Sequence, residues 1–162
     1  MKFFDTNCQQ GPFAHATFGI CDDENGGVAY VATTTPSDWV ATVLNHQQVA
    51  VTFTAIDKCV IKDGEEEGRG RCDGMLTTDR HLYLVELKNQ RNAWQSGAIE
   101  QLRSTLRFLV PEAGDLGQFR SRKAFACNRR HPKFAVIDNE TKKAFFTEFS
   151  FRLHIGASIV ID

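Results

Sequence analysis

The chain has 162 residues, 42% of them hydrophobic, and a formal net charge of −1, which fits one domain over residues 1–162 with an ordinary core. No run of about 18 apolar residues occurs, so no helical membrane span and no membrane partner is expected. The start, Met1-Lys2-Phe3-Phe4-Asp5, turns polar at once and lacks the apolar centre of a leader. The five cysteines (8, 21, 59, 72 and 127) are odd in number and form no C-x-x-C pair. That argues against a zinc knuckle and for reduced thiols in a cytoplasmic protein. Charge is unevenly spread. Residues 1–67 balance to −7, residues 68–133 to +7 and residues 134–162 to −1. The basic segment either meets a polyanion or pairs with the acidic N-terminal third.

In chain order, residues 16–34 read as a hairpin around the turn Asp22-Asp23-Glu24-Asn25-Gly26-Gly27. Thr35-Pro36-Ser37-Asp38 resembles a helix start, and Trp39, Val40, Val43 and Leu44 supply an apolar stripe, which predicts a helix from Pro36 to Gln47. Strands are expected over Val49–Val60, Arg69–Thr77 and His81–Lys88. A helix follows from Arg91 to Val110, apolar at Ala98, Ile99, Leu102, Leu106, Leu109 and Val110 and stopped by Pro111. Lys123–Cys127, Phe134–Asp138, Ala144–Phe151 and Leu153–Ile161 complete the predicted strands. Phe145, Phe146, Phe149 and Phe151 read as core rather than as a base-stacking platform. The mixed order predicts an α/β fold, a mixed central sheet flanked by helices, with extra β elements at both ends.

The most informative stretch is Cys72-Asp73-Gly74-Met75-Leu76 followed by Leu82-Tyr83-Leu84-Val85-Glu86-Leu87-Lys88. Strand side chains alternate faces, so Glu86 and Lys88 point the same way. A hairpin partner brings Asp73 beside them. Converging carboxylates are costly to bury without partners, and a bound divalent cation accounts for them. The cheaper alternative is a surface Glu86–Lys88 pair with Asp73 in a turn.

Asp73…Glu86-Leu87-Lys88, on consecutive strands of an αβββαβ order, resembles the PD-(D/E)xK nuclease superfamily over residues 36–128. The resemblance implies a restriction endonuclease-like core and a Mg²⁺- or Mn²⁺-dependent nuclease acting on nucleic acid, DNA first. It implies Asp73, Glu86 and the Leu87 carbonyl as metal ligands, and Lys88 as the residue that orients or deprotonates water. Gln101, on the following helix, matches half of a Gln…Tyr pair seen in RecB-like members; Thr105 stands in the tyrosine's place. Cys72 stands where the family often has proline. A homodimer is expected from fold analogy. The alternative is a catalytically inactive member serving as a nucleic-acid- or protein-binding module, such as a regulator or immunity partner.

Arg91, Arg103, Arg107, Arg122, Lys123, Arg129 and Arg130 are candidates for backbone phosphate contacts. His131, beside them, is a loop histidine or a phosphate contact. The five histidines show no metal-ligand spacing, and there is no nucleophile elbow or phosphate-binding glycine loop. Cys72 reads as a small buried hydrophobe rather than a nucleophile.

Overall fold

The computed structural model describes residues 2–23, 25–130 and 137–162. A 3-10 turn, Thr6–Cys8, leads into β1 (Gln9–Phe13). The hairpin expected over residues 16–34 forms as β2 (Thr17–Cys21) and β3 (Tyr30–Ala32). Next come a 3-10 turn at Pro36–Asp38, then β4 (Ala41–Leu44), β5 (Val51–Ala55), β6 (Gly74–Thr77) and β7 (His81–Lys88). The chain continues through α1 (Gln95–Ala113), β8 (Ser121–Asn128), α2 (Asn139–Phe149), β9 (Arg152–Gly156) and β10 (Ser158–Val160).

The strands form a six-stranded sheet ordered β1-β5-β6-β7-β8-β9 and a four-stranded sheet ordered β10-β4-β2-β3. In the large sheet, β5, β6 and β7 run antiparallel in sequence, whereas β8 and β9 continue parallel to β7. Period-two alternation divides the core into two layers. Met75, Leu82, Leu84, Ala124 and Ala126 face α1 and α2. Leu76, Tyr83, Val85, Leu87, Phe125 and Cys127 face Phe18, Ile20, Val43 and Ile159 of the small sheet. The central strand β7 is therefore covered on both faces. Its run from His81 to Leu87 is buried throughout, as expected of a strand sandwiched between layers.

Four expectations fail. The helix predicted from Pro36 to Gln47 is a single 3-10 turn followed by β4. Thr35 adopts a left-handed backbone and makes no side-chain capping bond. Ala41 and Val43 are buried while Thr42 and Leu44 are not, which is a strand's period. Trp39 is held apart from any helical stripe: its ring packs on Gly19, where an added Cβ would lie 2.0 Å from Trp39 Cγ. The strand predicted over Ala144–Phe151 is instead mostly α2. Asp138 caps it by accepting from the Thr141 amide at 2.7 Å, and Phe145 and Phe149, four apart, are its buried residues. Phe146, expected in the core, is 46% exposed. Finally, Cys8 and Cys59 form a disulfide, although a sequence separation of 51 gave no hint of their meeting. The ground for expecting five reduced thiols is thereby removed; Cys21, Cys72 and Cys127 are free and buried.

Smaller differences matter for the site. β6 begins at Gly74, so Asp73 immediately precedes its strand. Helix α1 carries Pro111 within its last turn, ending at Ala113 before Gly114 with φ 68°. The predicted Leu153–Ile161 strand divides into β9 and β10, which join different sheets. Of the predicted Phe134–Asp138 strand, residues 134–136 lie outside the described residues, as does His131. Among the described residues, no helix is long and apolar enough to cross a membrane.

Candidate active site

Asp73, Glu86 and Lys88 meet at the C-terminal end of β7, on the face covered by α1. The hairpin that joins β6 to β7 pairs Gly74 with Val85. This register sets Asp73 beside Glu86 and Leu87. Asp73 Oδ2 accepts a 2.7 Å hydrogen bond from the Leu87 amide. Lys88 Nζ lies 3.2 Å from Glu86 Oε1. Glu86 is only 2% exposed. Its Oε2 has no hydrogen-bond partner among the described residues.

A buried, unpartnered carboxylate oxygen is expensive, and the charges around it show the strain. Burial raises the Glu86 pKa well above the usual carboxylate range; the Asp73 charge raises it further, and Lys88 opposes the shift only in part. Burial likewise pushes Asp73 from the ordinary 3.8 to about 6, against the stabilising Leu87 amide. The negative charges of Asp22 and Asp57 add to that rise. Cys72 and Cys127 are fully buried, and burial next to these carboxylates raises both thiols. Neither is an activated nucleophile.

The surrounding contacts position the pair. The Cys72 amide donates to Thr105 Oγ1 at 2.8 Å, and that hydroxyl in turn donates to the Gln101 carbonyl at 2.9 Å. Thr105 thus docks the segment before Asp73 onto α1, a role its place in the sequence did not announce. Gln101 itself reaches the Arg71 carbonyl, at 3.5 Å, rather than either carboxylate. Arg71 bonds Asp57 and Asp63, each at 2.8 Å, and the carbonyls of Ile61 and Lys62, which fastens the loop after β5 to the approach to Asp73. Asn128, fully buried, pairs with Lys88 in the β7–β8 register. Its Nδ2 donates to the Gln90 carbonyl at 2.8 Å, and its Oδ1 accepts from the Arg130 amide at 3.1 Å. It holds the turn that leaves Lys88. Sequence reasoning missed Asn128; the one available signal was a polar residue ending an apolar strand.

The predicted cationic residues separate into four groups. Arg129 and Arg130 lie at the site's end of the sheet: the Arg129 amide donates to the Lys88 carbonyl at 3.2 Å, and Arg130 Nε donates to Asn89 Oδ1 at 2.9 Å. The Arg129 guanidinium bonds the Ser37 carbonyl. Arg91 is exposed in the loop between β7 and α1. Arg103 and Arg107 are engaged with Glu100 and Glu148, bridging α1 to α2. Arg122 and Lys123 pair with Leu82 and Tyr83, at the far end of the strands from Lys88; Lys123 contacts Asp162 at 3.1 Å.

Among the described residues, no group of three or more His, Cys, Asp or Glu side chains is placed to hold a metal ion. The donors available at this site are two carboxylates and main-chain oxygen. That set suits Mg²⁺, a hard cation that uses one or two protein carboxylates and retains several waters. The chain matches no protein-family model, no curated protein and no solved structure.

Proposed function

We propose that this protein is a metal-dependent nuclease of the PD-(D/E)xK type that hydrolyses phosphodiester bonds in DNA. The observation that carries the reading is the buried Asp73–Glu86 pair, with Glu86 Oε2 unpartnered and Lys88 alongside. A structural ion pair has no need of a second carboxylate in such a place, whereas a cation site does. The order β5-β6-β7-α1-β8, with β8 parallel to β7, agrees with the last five elements of the family core.

Asp73 and Glu86 would hold the cation, with the Leu87 carbonyl as a third ligand. The cation supplies charge neutralisation at the phosphate and acidifies a bound water. The Leu87 amide fixes the Asp73 carboxylate. Lys88, anchored to Glu86, donates to the attacking water and steadies the charge that develops on the phosphate. Arg129, Arg130 and Arg91 are close enough along the chain to contact backbone phosphates on either side of the scissile bond.

A second reading is a non-catalytic binding module. It draws on the strand β4, which occupies the place of the family's first helix and so removes the element that often contributes a further acid. Incubation with linear, circular and branched DNA plus Mg²⁺ or Mn²⁺ separates the two. Cleavage that Glu86→Ala and Lys88→Ala abolish supports the nuclease. Cleavage unchanged in those variants removes the site assignment, and binding without cleavage by the wild-type protein favours the module.

A further inference from the structure

We propose that the β9 edge of the large sheet carries a second binding site, which takes single-stranded nucleic acid with phosphates on Arg120, Arg122 and Arg152 and a base against Phe146. Two clefts adjoin there, of about 420 and 220 Å³, and they share Phe146 and Arg152. The larger also holds Lys142 and Lys143 on α2; the smaller holds Arg120 and Arg122 at the start of β8. No Asp or Glu lines either cleft.

Most of the cations on this face are left without an acid. Within the smaller cleft Lys123 meets a carboxylate, Asp162, at 3.1 Å. Among the described residues, Arg120, Arg122, Arg152, Lys142 and Lys143 do not. Cations left together without acids repel one another, and a polyanion relieves that repulsion. Phe146 decides which polyanion. It stands 46% exposed between these cations, with the Arg152 guanidinium 5.3 Å from its ring centroid. An aromatic face among cations is the pattern that binds unpaired bases and their backbone. A duplex keeps its base faces stacked and would leave the ring unused.

This edge is separate from the carboxylate pair. Arg152 pairs with Lys123, and Lys123 with Tyr83, so Arg152 lies two strands from β7 and three residues short of Glu86, roughly 10 Å along the strand direction at about 3.3 Å per residue. The inference therefore does not rest on the nuclease reading. The test is fluorescence anisotropy of labelled single-stranded DNA and RNA of about 12 nucleotides, with duplex DNA and a mononucleotide as further arms. EDTA is present, so the result is the same whether or not the protein cleaves. The doubly exposed Arg120→Glu/Arg152→Glu variant should weaken single-strand binding at least about tenfold and reduce the log–log salt slope by about 1.4, or 0.7 for each lost phosphate contact. Phe146→Ala, also at an exposed position, should weaken it severalfold, with thermal melting confirming that both variants fold. Binding within twofold of wild type in the charge-reversed variant overturns the site. A preference for duplex, or an unchanged affinity in Phe146→Ala, overturns the assignment to single strands. A mononucleotide bound as tightly as the oligonucleotide overturns the polymer as ligand.

Discussion

Replacing Asp73 by Asn should make the metal-free protein more stable at neutral pH, and the size of the effect follows from its surroundings. Burial raises the Asp73 pKa from 3.8 to about 6. The folded protein therefore holds that proton more tightly than the unfolded chain does. The stabilisation is fully present below pH 3.8 and is lost as pH rises through about 6. A rise of about two pH units, at about 1.4 kcal/mol each, amounts to about 3 kcal/mol lost by neutrality. Asn cannot ionise, yet its side-chain oxygen can still accept from the Leu87 amide. It also removes a negative charge that raises Glu86, which acts in the same direction. Urea unfolding in EDTA, followed by circular dichroism from about pH 4 to about pH 7, should show wild-type stability falling relative to Asp73→Asn by about 3 kcal/mol. Adding Mg²⁺ at the upper pH should recover much of that loss in the wild type and little in the variant. Parallel curves for the two proteins, or a variant less stable at neutral pH, would refute the reasoning.

Other consequences are more local. Asn128→Ala leaves the Gln90 backbone and the Arg130 amide without their buried partner, which should cost about 2 kcal/mol in chemical denaturation and slow any cleavage by freeing the turn after Lys88. Gly74→Ala puts a Cβ 2.3 Å from Phe53 Cζ and 2.8 Å from the Thr54 carbonyl; about 3 kcal/mol and about 10 °C of Tm should be lost in a calorimetric scan. Reducing Cys8–Cys59, whose separation is 51 residues, should lower unfolding stability by about 4 kcal/mol on the loop-entropy argument, read from urea curves with and without reductant.

The parts of the fold legible in the sequence were those whose signal is local. His81–Lys88 was read with correct bounds because burial on both faces makes an almost unbroken apolar run, and the hairpin around Asp22–Gly27 because its turn residues are so concentrated. The convergence of Asp73, Glu86 and Lys88 followed from strand parity and one hairpin. What escaped was set by tertiary contacts. Trp39 and Val40 resemble the start of a helical stripe until Gly19 gives the indole a place to lie. Phe145 to Phe151 resembles a strand until Asp138 is recognised as a cap and the buried phenylalanines as four apart. The charges of Asp22 and Asp57 act on Asp73 from distant segments, and no spacing along the chain foretells them.

The Cys8–Cys59 bond closes a covalent ring that contains β1 through β5, and with them the exposed turn at Asn25-Gly26-Gly27. A protease that cuts in that turn would open the ring without releasing a fragment. The nicked protein would run as one band on a non-reducing gel and as two after reduction. Such a cut would also leave β2 and β3 anchored, through β1 and β5, to the sheet that bears Glu86.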